Sequence, residues 1–152
     1  MENTINTISE VQNAIADKLQ ENVYFVQHNV PILVENSKTI DFDIKNSIGK
    51  IGVCATVSTP SLTFQGHYGA ENHPPFWTME SAQVVVVENP ILNRGRANYA
   101  TALDTALQIA QTLNTSFNFG LTSIQQTSEQ GLVVVTVSFK TNVVFRYEIE
   151  QK

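Results

Sequence analysis

The run Gln83-Val84-Val85-Val86-Val87-Glu88 constrains this chain more than any other stretch. Consecutive β-branched side chains suit a pleated surface better than a helix, and the run is too short for a buried helix. It predicts a strand buried on both faces and placed centrally in a sheet. Pro90 ends the run, because proline brings no N–H to a ladder and biases Asn89 away from helical geometry. From Ala97 the apolar period changes: Tyr99, Ala100, Leu103, Ala106, Leu107, Ala110 and Leu113 recur at spacings of three and four. That spacing predicts a helix over 97–113 with one face on the sheet. Leu103→Asp would bury an unpaired carboxylate on that face and is expected to unfold the chain.

Strand, turn and helix in succession over 82–113 supply two layers, the minimum for a core, and the flanking patterns extend them. Thr7 followed by Glu10 fits a capping box, and Ile8, Val11, Ala14, Ile15 and Leu19 trace an apolar stripe, predicting a helix over 7–22. Short apolar runs at 23–26 and 32–34, separated by Pro31, read as strands. Ile40, Phe42 and Ile44 alternate with Asp41 and Asp43, predicting a strand with both carboxylates on its wet face rather than a catalytic pair. Ile51, Val53, Ala55 and Val57 alternate again after a turn at 46–49, making a hairpin with that strand. A strand at 122–126, a turn at 128–131, a strand at 132–139 and a last strand carrying Val143, Phe145, Tyr147 and Ile149 close the sequence. The expected fold is α+β: a mainly antiparallel sheet packed against two amphipathic helices.

A chain of 152 residues that is 42% hydrophobic is long enough to bury a sizeable core, and the expectation is a single domain over 1–152. One cysteine, Cys54, excludes an internal disulfide and reads as a small buried hydrophobe. The net charge of −5 with only 15% charged residues leaves Asn, Gln, Ser and Thr to cover the surface. With no basic run to neutralise phosphates, a dedicated nucleic-acid binder is disfavoured. Neither a leader nor a membrane-length apolar run is visible, so solubility at the place of synthesis is expected.

Residues 58–81 depart from their surroundings, carrying Pro60, Gly66, Gly69, Pro74 and Pro75 together with Phe64, Tyr68, Phe76 and the single tryptophan, Trp77. Such length exceeds an ordinary connection and predicts a projecting loop or extension whose aromatics are covered by a partner. His67, Glu71 and His73 lie there, but proline and glycine leave no regular element to align them as metal ligands. No Gly-rich phosphate loop, Gly-x-Ser-x-Gly elbow or His-Glu-x-x-His appears, and His28, His67 and His73 have no orienting partner at fixed spacing. No catalytic residue, cofactor or metal is assigned, and an enzyme is disfavoured.

The strand ending in Glu88-Asn89, followed by Asn93-Arg94 and an amphipathic helix between an opening capped helix and closing strands, resembles the tail-terminator and tail-completion proteins of tailed bacteriophages. The likeness spans nearly the whole chain and is one of element order plus this short motif, from which the 58–81 insertion departs. It implies a virion protein, made in the host cytoplasm, that forms a homo-oligomeric ring, possibly a hexamer. The ring would end the tail tube and join it to the neck and capsid through neck or connector proteins, placing it in the tail or neck of the virion, with DNA passing without specific binding. An acidic, charge-poor surface suits such passage. Candidate residues for the subunit interface are Glu88, Asn89, Asn93, Arg94 and Arg96 on the turn, with Tyr68, Phe76 and Trp77 on the extension. Reversing both arginines to Glu is expected to leave a folded subunit. Two other classes remain: a ligand- or peptide-binding module using Phe64, Trp77 and the aromatic residues between them, and a small enzyme with a site between sheet and loop.

Overall fold

The structure is a computed structural model and describes residues 7–65, 76–114, 120–140 and 144–146. Thr7 starts the first helix as expected: its Oγ1 accepts from the Glu10 amide at 3.1 Å, and α1 runs Ile8–Gln20. Val11, Ile15, Ala16 and Leu19 are its buried stripe. The expected strand at 23–26 is instead a short helix, α2 (Val23–Gln27). Asn22 decides this, because its Oδ1 accepts from the Tyr24 amide at 3.0 Å and caps a new turn. Phe25 is buried, with the Tyr24 ring edge-on to it at 5.4 Å.

After β1 (Ile32–Val34) comes the larger correction: residues 40–44 begin a helix, α3 (Ile40–Lys50), and not a wet-faced strand. Ile40 and Ile44 satisfy helical spacing as well as alternation, but Asn46 breaks the alternation and Ile48 and Ile51 continue the helical series. Asp41 and Asp43 sit in the first turn, where the helix dipole favours negative charge, and Thr39 Oγ1 donates to Asp43 Oδ2 at 2.8 Å. Topology demands the helix too. The strand β2 (Val53–Val57) pairs with β1 in parallel, and a parallel pair needs a crossover rather than a hairpin.

The remaining elements are β3 (Ser61–Gln65), β4 (Phe76–Glu88), α4 (Pro90–Asn93), α5 (Ala102–Asn114), β5 (Gly120–Glu129), β6 (Leu132–Lys140) and β7 (Val144–Arg146). They complete a seven-stranded sheet in the order β1-β2-β4-β6-β5, mainly antiparallel, with β3 and β7 both paired to β4. The fold is thus α+β, with helices packed on the sheet. As expected, 83–88 lies centrally, between β2 and β6. Burial is uneven across it: Val84 and Val86 are buried towards the helices, while Val85 and Val87 on the other face are only half-buried. The turn joining β5 to β6 has Gln130 at φ 50° and Gly131 at φ 81°, the two positive φ angles of a hairpin turn that matches strand twist.

β4 is 13 residues long, and its first half reaches past β2 and β6 to pair with β3 on one side and β7 on the other. Residues 58–81 therefore include both strands of a hairpin built on the sheet, held by pairing within the chain. Its tip at 66–75, including Tyr68, His67, Glu71 and His73, lies outside the described residues, as do Phe117, Phe119, Val143, Tyr147 and Ile149.

The core joins α1, α5 and the helix-facing sides of β2, β4 and β6: Leu19, Val53, Ala55, Val84, Val86, Ile109, Leu113, Val135, Val137 and Phe139 among others. The strand β2 is buried on both faces, Val53, Ala55 and Val57 towards α1 and α5, Cys54 and Thr56 on the opposite side. Burial pushes the Cys54 thiol up to about 11. In α5 the buried face is Ala102, Thr105, Ala106, Ile109, Ala110 and Leu113. Leu103 and Leu107, expected on it, are 51% and 49% exposed. The helix starts at Ala102 rather than Ala97, and the face it lays on the sheet is the one carrying Ala106, Ile109 and Leu113.

Leu103→Asp is therefore expected to shift the midpoint of urea unfolding little, whereas Ile109→Ala should cost about 2–5 kcal/mol; equal losses for the two would refute this rotation. A thiol held neutral by the fold stabilises fully below its unfolded value and loses that contribution as pH rises through its folded value. Stability should accordingly decline between about pH 9 and 11, by roughly 2–3 kcal/mol in all from this group, and Cys54→Ala should flatten that decline in unfolding curves measured across the window.

Candidate functional site

Alternation along β4 puts Glu88 on the same side as Val84 and Val86, at the end of a buried strand and with no solvent exposure. A carboxylate in that position requires donors, and the turn that follows supplies them. Asn93 Nδ2 donates to Glu88 Oε2 at 2.6 Å. Arg94 reaches both oxygens, Nε to Oε2 at 3.3 Å and Nη2 to Oε1 at 3.4 Å. The Ala102 amide donates to Oε1 at 3.2 Å. That amide opens α5, so the carboxylate also lies at the positive end of a helix dipole.

Asn93 is equally buried and uses both ends of its amide. Its Nδ2 also donates to the Ala100 carbonyl at 2.9 Å, and its Oδ1 accepts from Arg96 Nε at 3.2 Å and Nη2 at 2.6 Å. These bonds explain the late helix start: the Ala100 carbonyl is held outside the helix, and Thr101 Oγ1 accepts from the Asp104 amide as a cap. Residues 97–101 are also tied to the end of α2. Asn98 Nδ2 donates to the Gln27 carbonyl at 3.2 Å and His28 Nδ1 donates to the Asn98 carbonyl at 2.9 Å.

Sequence reasoning missed Gly52, which lies directly behind the turn. Its φ is +100°, and a Cβ there would stand 2.6 Å from the Asn93 backbone nitrogen. The Asn89 amide donates to the Gly52 carbonyl at 2.7 Å, so the end of α3, the start of β2 and the turn meet at one glycine. A glycine just past a helix is the available signal, hidden when 40–44 is taken as a strand and 46–49 as a turn.

Of the interface candidates, Glu88, Asn89, Asn93, Arg94 and Arg96 are thus brought together, but two of them face inward. Glu88 and Asn93 have no surface to offer a neighbour, and their role is to hold the turn. Arg94 is half exposed, with its charge favoured chiefly by its hydrogen bonds to Glu88, whereas burial works against the charge of Arg96. Arg96 Nη1 is buried and makes no hydrogen bond among the described residues. The side chain that the turn does present is Ile91, 93% exposed on α4, with Leu92 and Tyr99 partly exposed beside it. Phe76 and Trp77 lie in β4 opposite Gln65 and Phe64 of β3, while Tyr68 falls in the undescribed tip. Among the described residues no cluster of three or more His, Cys, Asp or Glu side chains is placed to hold a metal, and no helix is long and apolar enough to cross a membrane.

No protein-family model and no curated protein matches this chain. Similar solved structures include a protein from Akkermansia muciniphila, 12% identical, with a TM-score of 0.29 over 97% of this chain and 83% of that one. Two crystal forms of the catalytic domain of histidine kinase ThkA, also 12% identical, give TM-scores of 0.30 and 0.31 over 93% of this chain and 97% of theirs. Superpositions this loose establish neither a common fold nor a common activity.

Glu88→Ala removes the acceptor that Asn93, Arg94 and the Ala102 amide share and should destabilise the chain by about 3–5 kcal/mol. Glu88→Gln, which keeps the shape but brings N–H groups towards donors, should recover only part of that loss. Chemical denaturation of both variants checks the assignment, and a wild-type midpoint for Glu88→Ala would refute it.

Proposed function

We propose that this chain is a structural subunit of a bacteriophage tail, of the terminator or completion kind, working by self-assembly into a closed ring rather than by turnover. The reading begins from the resemblance carried by Glu88-Asn89 and Asn93-Arg94. The observation that supports it best is the turn at 88–96, where the hydrogen bonds of buried Glu88 and Asn93 with Arg94, Arg96 and the Ala102 amide immobilise a short helix that holds Ile91 in solvent. A large apolar side chain on a rigid support is what an interface anchor needs, because little conformational entropy is lost when a neighbour covers it. Arg94 beside it adds a charge that a neighbouring carboxylate or carbonyl would meet in a partly desolvated setting. In a closed ring each subunit is held by two such contacts, and the last forms at high effective concentration, so a modest single contact suffices. The acidic, charge-poor composition suits a ring through which DNA moves without lasting counter-charges.

Because Arg94 and Arg96 bond to Glu88 and Asn93, reversing both would set new carboxylates against a buried one, and a folded subunit is no longer the expected result. Ile91 separates contact from folding. Ile91→Asp should leave the unfolding midpoint close to wild type, yet phage carrying it should assemble few tails of correct length joined to capsids, as counted by negative-stain electron microscopy. Normal particles from Ile91→Asp would exclude this contact, and normal particles from a deletion of the whole protein would exclude the function.

A further inference from the structure

The far end of the sheet from β1 carries two features, side by side, that no other described residue covers fully. The first is the strand β5, which is last in the strand order and has a hydrogen-bonded neighbour, β6, on one side only among the described residues. From Ser123 to Ser128 it has no charge, proline or glycine to blunt an open edge, and its one irregularity, a register shift, lies before Ser123. The second is the outer flank of α5. Thr105 and Thr112 face α2 and the end of α1, bonding Tyr24 and Asn22. Leu103 and Leu107 lie on the opposite flank by helical period, towards β5, and both are about half exposed.

An occupant of this end has to extend both layers, adding a strand to β5 and an apolar helix flank over it. A bare peptide strand would do the first and leave the leucines open. A second copy of β5 and α5 does both, and we infer that two copies of this chain pair through β5, antiparallel about a twofold axis at Gln125. In that register Ile124 lies opposite Gln126 and Ser123 opposite Thr127, so no like charges meet. The strand's one charge, Glu129, falls four residues from the axis in each copy. The two carboxylates are then roughly 27 Å apart at strand rise, beyond the Debye length at physiological salt. The twofold also brings Leu103 and Leu107 of each copy towards those of the other above the joined sheet. An isologous contact of this kind uses a different surface from the turn at 88–96 and does not rest on the ring reading.

Gln125 is exposed and is its own partner in the pairing, which makes the register testable without disturbing the core. Sedimentation equilibrium of the full chain at tens of micromolar should show a dimer. Gln125→Lys and Gln125→Glu, each alone, should weaken self-association by about two- to fivefold through like charges face to face, with thermal unfolding of the monomer unchanged. Mixing the two variants should restore the dimer as a heterodimer. A monomeric wild type, a dimer indifferent to either substitution, or a loss that mixing does not repair would each overturn the proposal.

Discussion

A carboxylate buried at the end of a central strand imposes conditions on everything near it. Left unpaired, Glu88 would cost several kcal/mol, a large part of the whole stability of a domain this size. The chain meets the requirement locally, with donors from Asn93, Arg94 and the first amide of α5. That choice fixes where α5 begins, because the Ala100 carbonyl and the Ala102 amide are held by the turn. The half-exposure of Leu103 and Leu107 and the burial of Thr105 are set by packing, because Ala102, Ala106, Ile109, Ala110 and Leu113 lie on the sheet and Thr105 meets Tyr24 of α2.

The turn is rigid because its polar groups are spent inside. Asn93 satisfies both ends of its amide against Glu88, Ala100 and Arg96, and any movement of the turn would break several of these bonds together. Gly52 adds a steric condition, its missing Cβ letting the Asn93 backbone come within contact distance. The polar residues are therefore the support, and the surface they raise is apolar. Motif reading points to the polar and charged residues of the turn, whereas the side chains it exposes are Ile91, Leu92 and Tyr99, with Arg94 beside them.

The two ends of the sheet differ in a way that bears on assembly. At one end β1 is short and followed by the α3 crossover, while β5 at the other is long, uncharged over most of its length and open among the described residues. Natural sheets seldom leave such an edge without either a guard or a partner. At the far end of β4 the sheet is widened by β3 on one side and β7 on the other.

Several features were legible in the sequence because their determinants are local. The α1 start was written in Thr7, the central strand in the valine run, its end in Pro90, and the β5–β6 turn in the polar and glycine residues around Gly131. The α+β class follows from these. Residues 40–44 misled because five residues can satisfy alternation and helical spacing at once, and what decided between them was the parallel pairing of β1 with β2, a contact between segments separated by the helix itself. The charged candidates of the site were likewise visible, as residue types beside a strand end. Their direction was not: whether Glu88 faces solvent or core depends on which face of β4 the helices cover, and that is set by packing of α1 and α5 across the sheet. Sequence periodicity determines which residues share a face; only the tertiary structure decides what that face meets.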